Sequence, residues 1–402
     1  MGNGMRLSLM MFLQYMAMPV WFVPLLPYVR TLPGGEDWTL WCGLVMGLGA
    51  FTSPIAGLCA DRFRNAEQVL AICDFATAVF LSAAFLVRSP ALLFLLVLLA
   101  MCFYMPTWSL TATIGLAHLP PKGFSRIRVW GTVGWVASGA FSLVGLNVFG
   151  IDDFDLSPLI FAAGALLSVL AGLLAAFGLP PTRPTKSGVP FSFQDVFGIR
   201  AFVLFRRRPF LIFALLMFCA MIPFQWYNVY CADYLRETGF RHLTATVNLG
   251  QIGEICFILL LPWLLGRLGF YRSMIVALSA LLFRNLCFLL SVSCGWTALD
   301  FGGILVHGLI FGVFIVGSQM HLAEMTPSEL RGQAQGLLAM ITTGAGVFAS
   351  NALFARLLKP DANGNSNWSF AYLTAIGLSI GILIAVAVLS CCGRGLTGER
   401  PR

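Results

Sequence analysis

The sequence predicts an all-α membrane protein of twelve transmembrane helices in two six-helix, pseudo-symmetric halves. Three observations predict it. Of the 402 residues, 58% are hydrophobic and only 10% are charged, where a soluble domain carries about 25% charged residues. So much apolar surface has to face lipid. Twelve apolar runs reach the roughly 20 residues that a helix needs to cross a bilayer core: 7–29, 40–60, 67–87, 91–116, 127–148, 159–178, 209–230, 244–265, 273–293, 299–320, 332–357 and 370–392. The longest polar break, 179–208, contains Pro180, Pro181, Pro184 and Pro190, ends in Arg206-Arg207-Arg208, and falls after the sixth run. The expected organisation is an N-terminal bundle over 1–178, a linker over 179–208 and a C-terminal bundle over 209–402.

The same composition excludes disordered, collagen-like and disulfide-stapled chains. No polar stretch is long enough to house a soluble enzyme domain beside an anchor. The net charge of +8 does not point to nucleic acid, because the basic residues sit in short loops between apolar runs. Their placement sets the topology instead. With the N-terminus cytoplasmic, 17 Lys and Arg fall in cytoplasmic segments and 6 outside, with Arg128 and Arg284 inside runs. Both termini and the linker are then cytoplasmic. The outer loop bearing Asp152, Asp153 and Asp155 has no basic residue, in agreement. The 11 cysteines form no CxxC pair and most lie in apolar runs; they read as small hydrophobes. The first run is too long for a signal peptide and has no cleavage site, so it is the first span.

Two six-helix halves joined by a basic cytoplasmic loop is the layout of the major facilitator architecture. The loop after the second run, Gly57-Leu58-Cys59-Ala60-Asp61-Arg62, resembles the G-x-x-x-D-R loop signature of that superfamily. Asp61 can accept bonds from a neighbouring helix N-terminus, and Arg62 can tie the half together in one conformation. The equivalent stretch 266–272 is similar to a degraded second copy.

Ionisable groups at membrane depth are costly and usually carry function. In the fifth run Arg128, Thr132 and Trp135 are spaced i, i+4, i+7 and share one helix face. A guanidinium fork, a hydroxyl and an aromatic plane suit a flat polar solute; the alternative is an Arg128 that snorkels to the surface. Gln225 and Asn228 offer amides that donate and accept, although Trp226, Tyr227 and Tyr230 beside them also fit an interfacial aromatic belt. Gln251 and Glu254 are again spaced i, i+3, with Glu254 midway along its run. A carboxyl there is costly as an anion, so Glu254 is a candidate proton carrier or else the partner of an intramembrane arginine. Asp74 pairs with a loop arginine or titrates. Arg284 satisfies an internal carbonyl or carboxylate. His307 is a packing residue or a proton relay. No metal-ligand spacing, nucleotide loop or hydrolytic constellation occurs, so neither cofactor nor metal is expected. Gly302-Gly303 and Gly344-x-Gly346 read as close helix packing. Asn367-Trp368-Ser369 matches a glycosylation sequon, a pattern short enough to arise by chance.

Taken in order, the residues resemble the nucleoside:proton symporters, the bacterial nucleoside permeases of the major facilitator superfamily. The pieces are Phe12-Leu13-Gln14 with Trp21, Ala60-Asp61-Arg62, Tyr104-Met105-Pro106-Thr107, Ile127 to Gly134, Gln225-x-x-Asn228, Gln251-x-x-Glu254, Arg284 and Ala334-Gln335-Gly336. The resemblance implies that Arg128, Thr132, Trp135, Gln225, Asn228, Gln251 and Glu254 contact a nucleoside, and that Glu254 couples its uptake to protons. The family has a second carboxylate in the tenth span, where this chain has Gly312. Coupling then runs through Glu254 alone, passes to Asp74 or His307, or is lost in a facilitator. The expectation is an importer in the bacterial inner membrane that works in lipid as a single chain. A nucleoside binds between its halves and a proton travels with it. The alternatives are transport of another polar solute, such as a sugar or glycoside, and a membrane protein that binds without transporting.

Overall fold

A computed structural model describes residues 2–119, 121–184, 199–326, 334, 337–358 and 366–392. Among these there is no β-strand. Eleven helices are long and apolar enough to cross a membrane. They are α1 (Asn3–Arg30), α2 (Gly35–Ala60), α3 (Ala66–Leu86), α4 (Pro90–His118), α5 (Arg126–Phe149), α6 (Leu159–Phe177), α7 (Arg208–Glu237), α9 (Phe270–Cys294), α10 (Ala298–Leu322), α11 (Leu337–Leu357) and α12 (Trp368–Ser390). A twelfth, α8, runs over Leu243–Phe257 and Leu260–Leu268 with a 60° bend between. Pro262 lies one turn past that bend. It cannot donate to the carbonyl of residue 258, and its ring crowds that carbonyl. For the same reason α1 runs in three pieces, broken at Pro19 and Pro24.

The chain divides into two compact units, Met1–Ser192 with Val229–Asn248, and Phe193–Asn228 with Leu249–Arg402. In the first, α3 packs on α4 and α6, and α1 packs on α5 and α6. Leu7, Met11, Leu70, Leu110 and Ile114 fill the space among them. Hydrogen bonds explain why 229–248 belongs to this unit. Arg30 Nε donates to Asp233 at 2.8 Å, and Arg236 donates to the Pro27 carbonyl at 3.1 Å. Asn248 Nδ2 donates to the Trp135 carbonyl and to Ser138 Oγ, both at 2.9 Å. Thr244 donates from its backbone N and its hydroxyl to the Asp155 carboxylate, at 3.2 and 2.9 Å.

In the second unit α9 packs on α10 and α12 around Phe213, Met217, Phe224, Met274, Leu278 and Phe314. Two of its helices contain π-helical turns, Gly312–Gly317 in α10 and Met340–Gly346 in α11. Such turns are rare and cluster at functional sites. Along α12, Leu373, Ile380, Ile384 and Val388 are exposed. They are spaced seven, four and four residues apart, an apolar stripe for lipid.

Candidate functional site

In the first unit the site is built on the α1–α5 contact. A Cβ on Gly134 would run into the Phe12 carbonyl, and one on Gly131 would lie 3.0 Å from the Tyr15 ring. Without those atoms α5 lies close to α1. That approach sets the half-buried Arg128 over Tyr15, its Cζ 4.1 Å from the ring centroid. Tyr15 stacks on Trp108 with centroids 5.5 Å apart and planes at 15°. Trp108 Nε1 donates to the Tyr104 hydroxyl at 3.3 Å, and that hydroxyl donates to the Gln14 carbonyl. Gln14 Nε2 donates to both oxygens of Asp74 at 2.6 Å. Arg128 is thus held on an aromatic face. Thr132 and Trp135 are half-buried on the same helix, one and two turns along.

In the second unit the site rests on the α8–α10 contact. A Cβ on Gly253 would lie 2.6 Å from the Leu305 carbonyl, one on Gly250 would lie 2.9 Å from that of Ile304, and one on Gly308 would meet the backbone of Glu254. Glu254 is 5% exposed and fixed beside the residue next to His307. Gln251, one turn earlier, is half-buried. On α7, Asn228 Nδ2 donates to Gln225 Oε1 at 2.8 Å; Gln225 is buried and Asn228 exposed. Arg284 is 0% exposed, over Tyr227 at 4.1 Å and Phe224 at 5.6 Å. It approaches the Phe224 carbonyl and His307 Nδ1, both at 3.5 Å. Arginine only donates, so Nδ1 accepts. The His307 ring stacks on Phe224 at 6.0 Å.

These contacts decide several sequence alternatives. Arg128 lies against the ring of Tyr15. The partner of Asp74 is Gln14, not a loop arginine. Arg284 reaches an internal carbonyl, as expected. Trp226 is no interfacial belt residue: it is buried and stacked on Phe354 at 4.6 Å. Nothing in the sequence marks Tyr15, Trp108 and Tyr227 as site residues, because only packing reveals that two of them lie under arginines. Arg62 is half-buried at the end of the helix Ser53–Arg62. The Asp61 side chain, and Gln335 and Gly336, lie outside the described residues.

The Nucleoside H+ symporter family model matches residues 1–391. The chain belongs to that family. Among curated relatives of this symporter, the candidate nucleoside transporter YegT of Escherichia coli (strain K12) is 33% identical over 353 residues, covering 86% of this chain and 82% of YegT. Nucleoside permease NupG of the same organism is 26% identical over 407 residues, covering 96% and 95%. A crystal structure of NupG superposes with a TM-score of 0.83 at 25% identity, covering 97% of this chain and 99% of that one. The symporter therefore has the major facilitator fold of a transporter and is a multi-pass inner-membrane protein. At Gly312 it has room: the residue is buried, yet an added Cβ would meet nothing within 4 Å.

Proposed function

We propose that this symporter imports nucleosides with protons by alternating access, and that Glu254 carries the proton that enters with each substrate. One observation carries the role of Glu254. It is a residue more than nine-tenths buried within an apolar helix, and its backbone abuts Gly308 where α8 and α10 touch. Such a group moves between charged and neutral forms at a large cost difference, which is what coupling to a proton gradient needs. Arg128, Thr132 and Trp135 take one part of the nucleoside. Arg128 supplies charged donors and Trp135 a plane for the base. Gln225, Asn228 and Gln251 supply amides for the sugar hydroxyls and base edges. Asp74 and His307 are the further titratable groups placed to take part. The excess of Lys and Arg in the inner loops puts both termini in the cytoplasm. A single chain in the bilayer carries all of these residues and works as a monomer.

Uptake of labelled uridine and adenosine into proteoliposomes with an acid outside tests the reading. Wild-type protein should accumulate substrate above equilibrium. Glu254→Gln should abolish accumulation while exchange remains measurable. Accumulation that survives Glu254→Gln would remove the proposed role. Wild-type uptake that only equilibrates would make the protein a facilitator.

A further inference from the structure

Asp74 has an unusual surrounding for a carboxyl. It is 1% exposed, and among the described residues its hydrogen-bond partner is the neutral amide of Gln14. Among the described residues no arginine or lysine forms an ion pair with it. A buried anion matched only by an amide N–H is poorly compensated. Gln14, itself 1% exposed, has the complementary defect: its Oε1 has no hydrogen-bond donor. A buried acceptor left unmade costs the desolvation of that group.

One atom resolves both defects. We propose that Asp74 and Gln14 together form a proton-binding site in which the neutral acid and the amide pair reciprocally. The Asp74 O–H donates to Gln14 Oε1, and Gln14 Nε2 donates to the other Asp74 oxygen. The inference deepens the symport reading, on which it rests, by placing a second proton in the N-terminal bundle, apart from Glu254.

The site adjoins the ligand face through two consecutive residues of α1. Gln14 holds Asp74 by its side chain and Tyr104 by its carbonyl, while Tyr15 carries Arg128. Proton binding at Asp74 and nucleoside binding at Arg128 are therefore linked, each altering the affinity for the other by the same factor. The other groups around the pair are few. Cys73 neighbours Asp74 on α3 and faces Cys59 from α2. Tyr104 on α4 lies within electrostatic reach of Asp74, Tyr15 and Arg128. Helix α6, packed along α3, has no ionisable residue.

Infrared difference spectra of full-length protein in lipid nanodiscs, recorded as pH is stepped, read protonated carboxyls directly. Two bands of buried protonated carboxyls are expected, and the one from the N-terminal bundle should vanish in Asp74→Asn and persist in Glu254→Gln. Asp74→Asn keeps the shape and puts an amide pair in place of the acid–amide pair. In Gln14→Met, with similar bulk and no amide, the band should titrate at a proton concentration changed by about tenfold, the effect of one hydrogen bond to a charged group. A spectrum that loses no band in Asp74→Asn overturns the inference. So does a Gln14→Met titration identical to wild type, which decides the matter alone if Asp74→Asn does not fold. The symport reading fails separately, if wild-type vesicles show no gradient-driven uridine accumulation whatever the spectra show.

Discussion

Arg128 and Arg284 lie in different units and have the same nearest aromatic geometry, each with its guanidinium carbon 4.1 Å from a tyrosine centroid. Their surroundings are opposite. Arg284 is 0% exposed, closed in by Tyr227, Phe224 and His307, and spends donors on a backbone carbonyl and a ring nitrogen of its own unit. Arg128 is half-buried and, among the described residues, rests on one ring. The lesson is that membrane depth marks an arginine as important without saying for what. Burial on all sides turns it into a strut, and burial on one side leaves a face that a solute could meet.

The sharpest test is to remove each in turn. Arg284→Met should cost about 2–4 kcal/mol of stability, read as a lower thermal midpoint and poor yield in detergent, with nucleoside affinity of the surviving protein nearly unchanged. Arg128→Gln should leave the thermal midpoint almost where it was and weaken uridine binding about 10- to 100-fold, the loss of charge-assisted bonds. If the two variants exchanged these phenotypes, the comparison would be broken. A smaller effect should come from the glycine seams that set the two sites. Gly308→Ala and Gly134→Ala each overpack a helix contact at about 1–3 kcal/mol, and Gly308→Ala should also disturb proton coupling, because it pushes on Glu254. The smallest effect is expected at Asp155. Burial pushes its carboxyl above the ordinary carboxylate range, while bonds from Thr244 pull the other way. A raised folded-state value means that its stabilising contribution is complete below the ordinary carboxylate range and fades as pH rises through the folded value. Asp155→Asn should flatten that acid-side dependence of the thermal midpoint.

Much of the fold was legible because lipid writes its requirement into composition. The sixth run was expected at 159–178, and α6 spans Leu159–Phe177. The seventh was expected to stop at 230, yet α7 continues to Glu237. A hydropathy ruler stops at Asp233 and Arg236, whereas the helix continues because Arg30 and the Pro27 carbonyl satisfy them. The close packing expected at Gly303 and Gly346 is present, with Phe288 3.0 Å and Met221 2.5 Å from an added Cβ. The seam at Gly250, Gly253 and Gly308 was not foreseen, since nothing in one sequence says which helices meet. Asp74 was visible as a costly carboxyl, but its partner lies 60 residues away on α1 and no periodicity links them. Asn367, legible in the sequence only as part of a sequon, accepts from the Phe370 backbone N at 3.1 Å and caps the start of α12.

The π-helical turn at Gly312–Gly317 has a consequence for chain length. A π turn closes i→i+5 and so holds one residue more than the α turn it replaces. Deleting a single residue elsewhere in α10 would rotate everything beyond it by about 100° and present the wrong side chains to the rest of the unit. Deleting one within this turn lets it tighten to an α turn while the flanking segments keep their facing. The tenth helix carries a spare residue at this one turn, which begins at Gly312, and a codon-by-codon deletion scan should find its single tolerant window there.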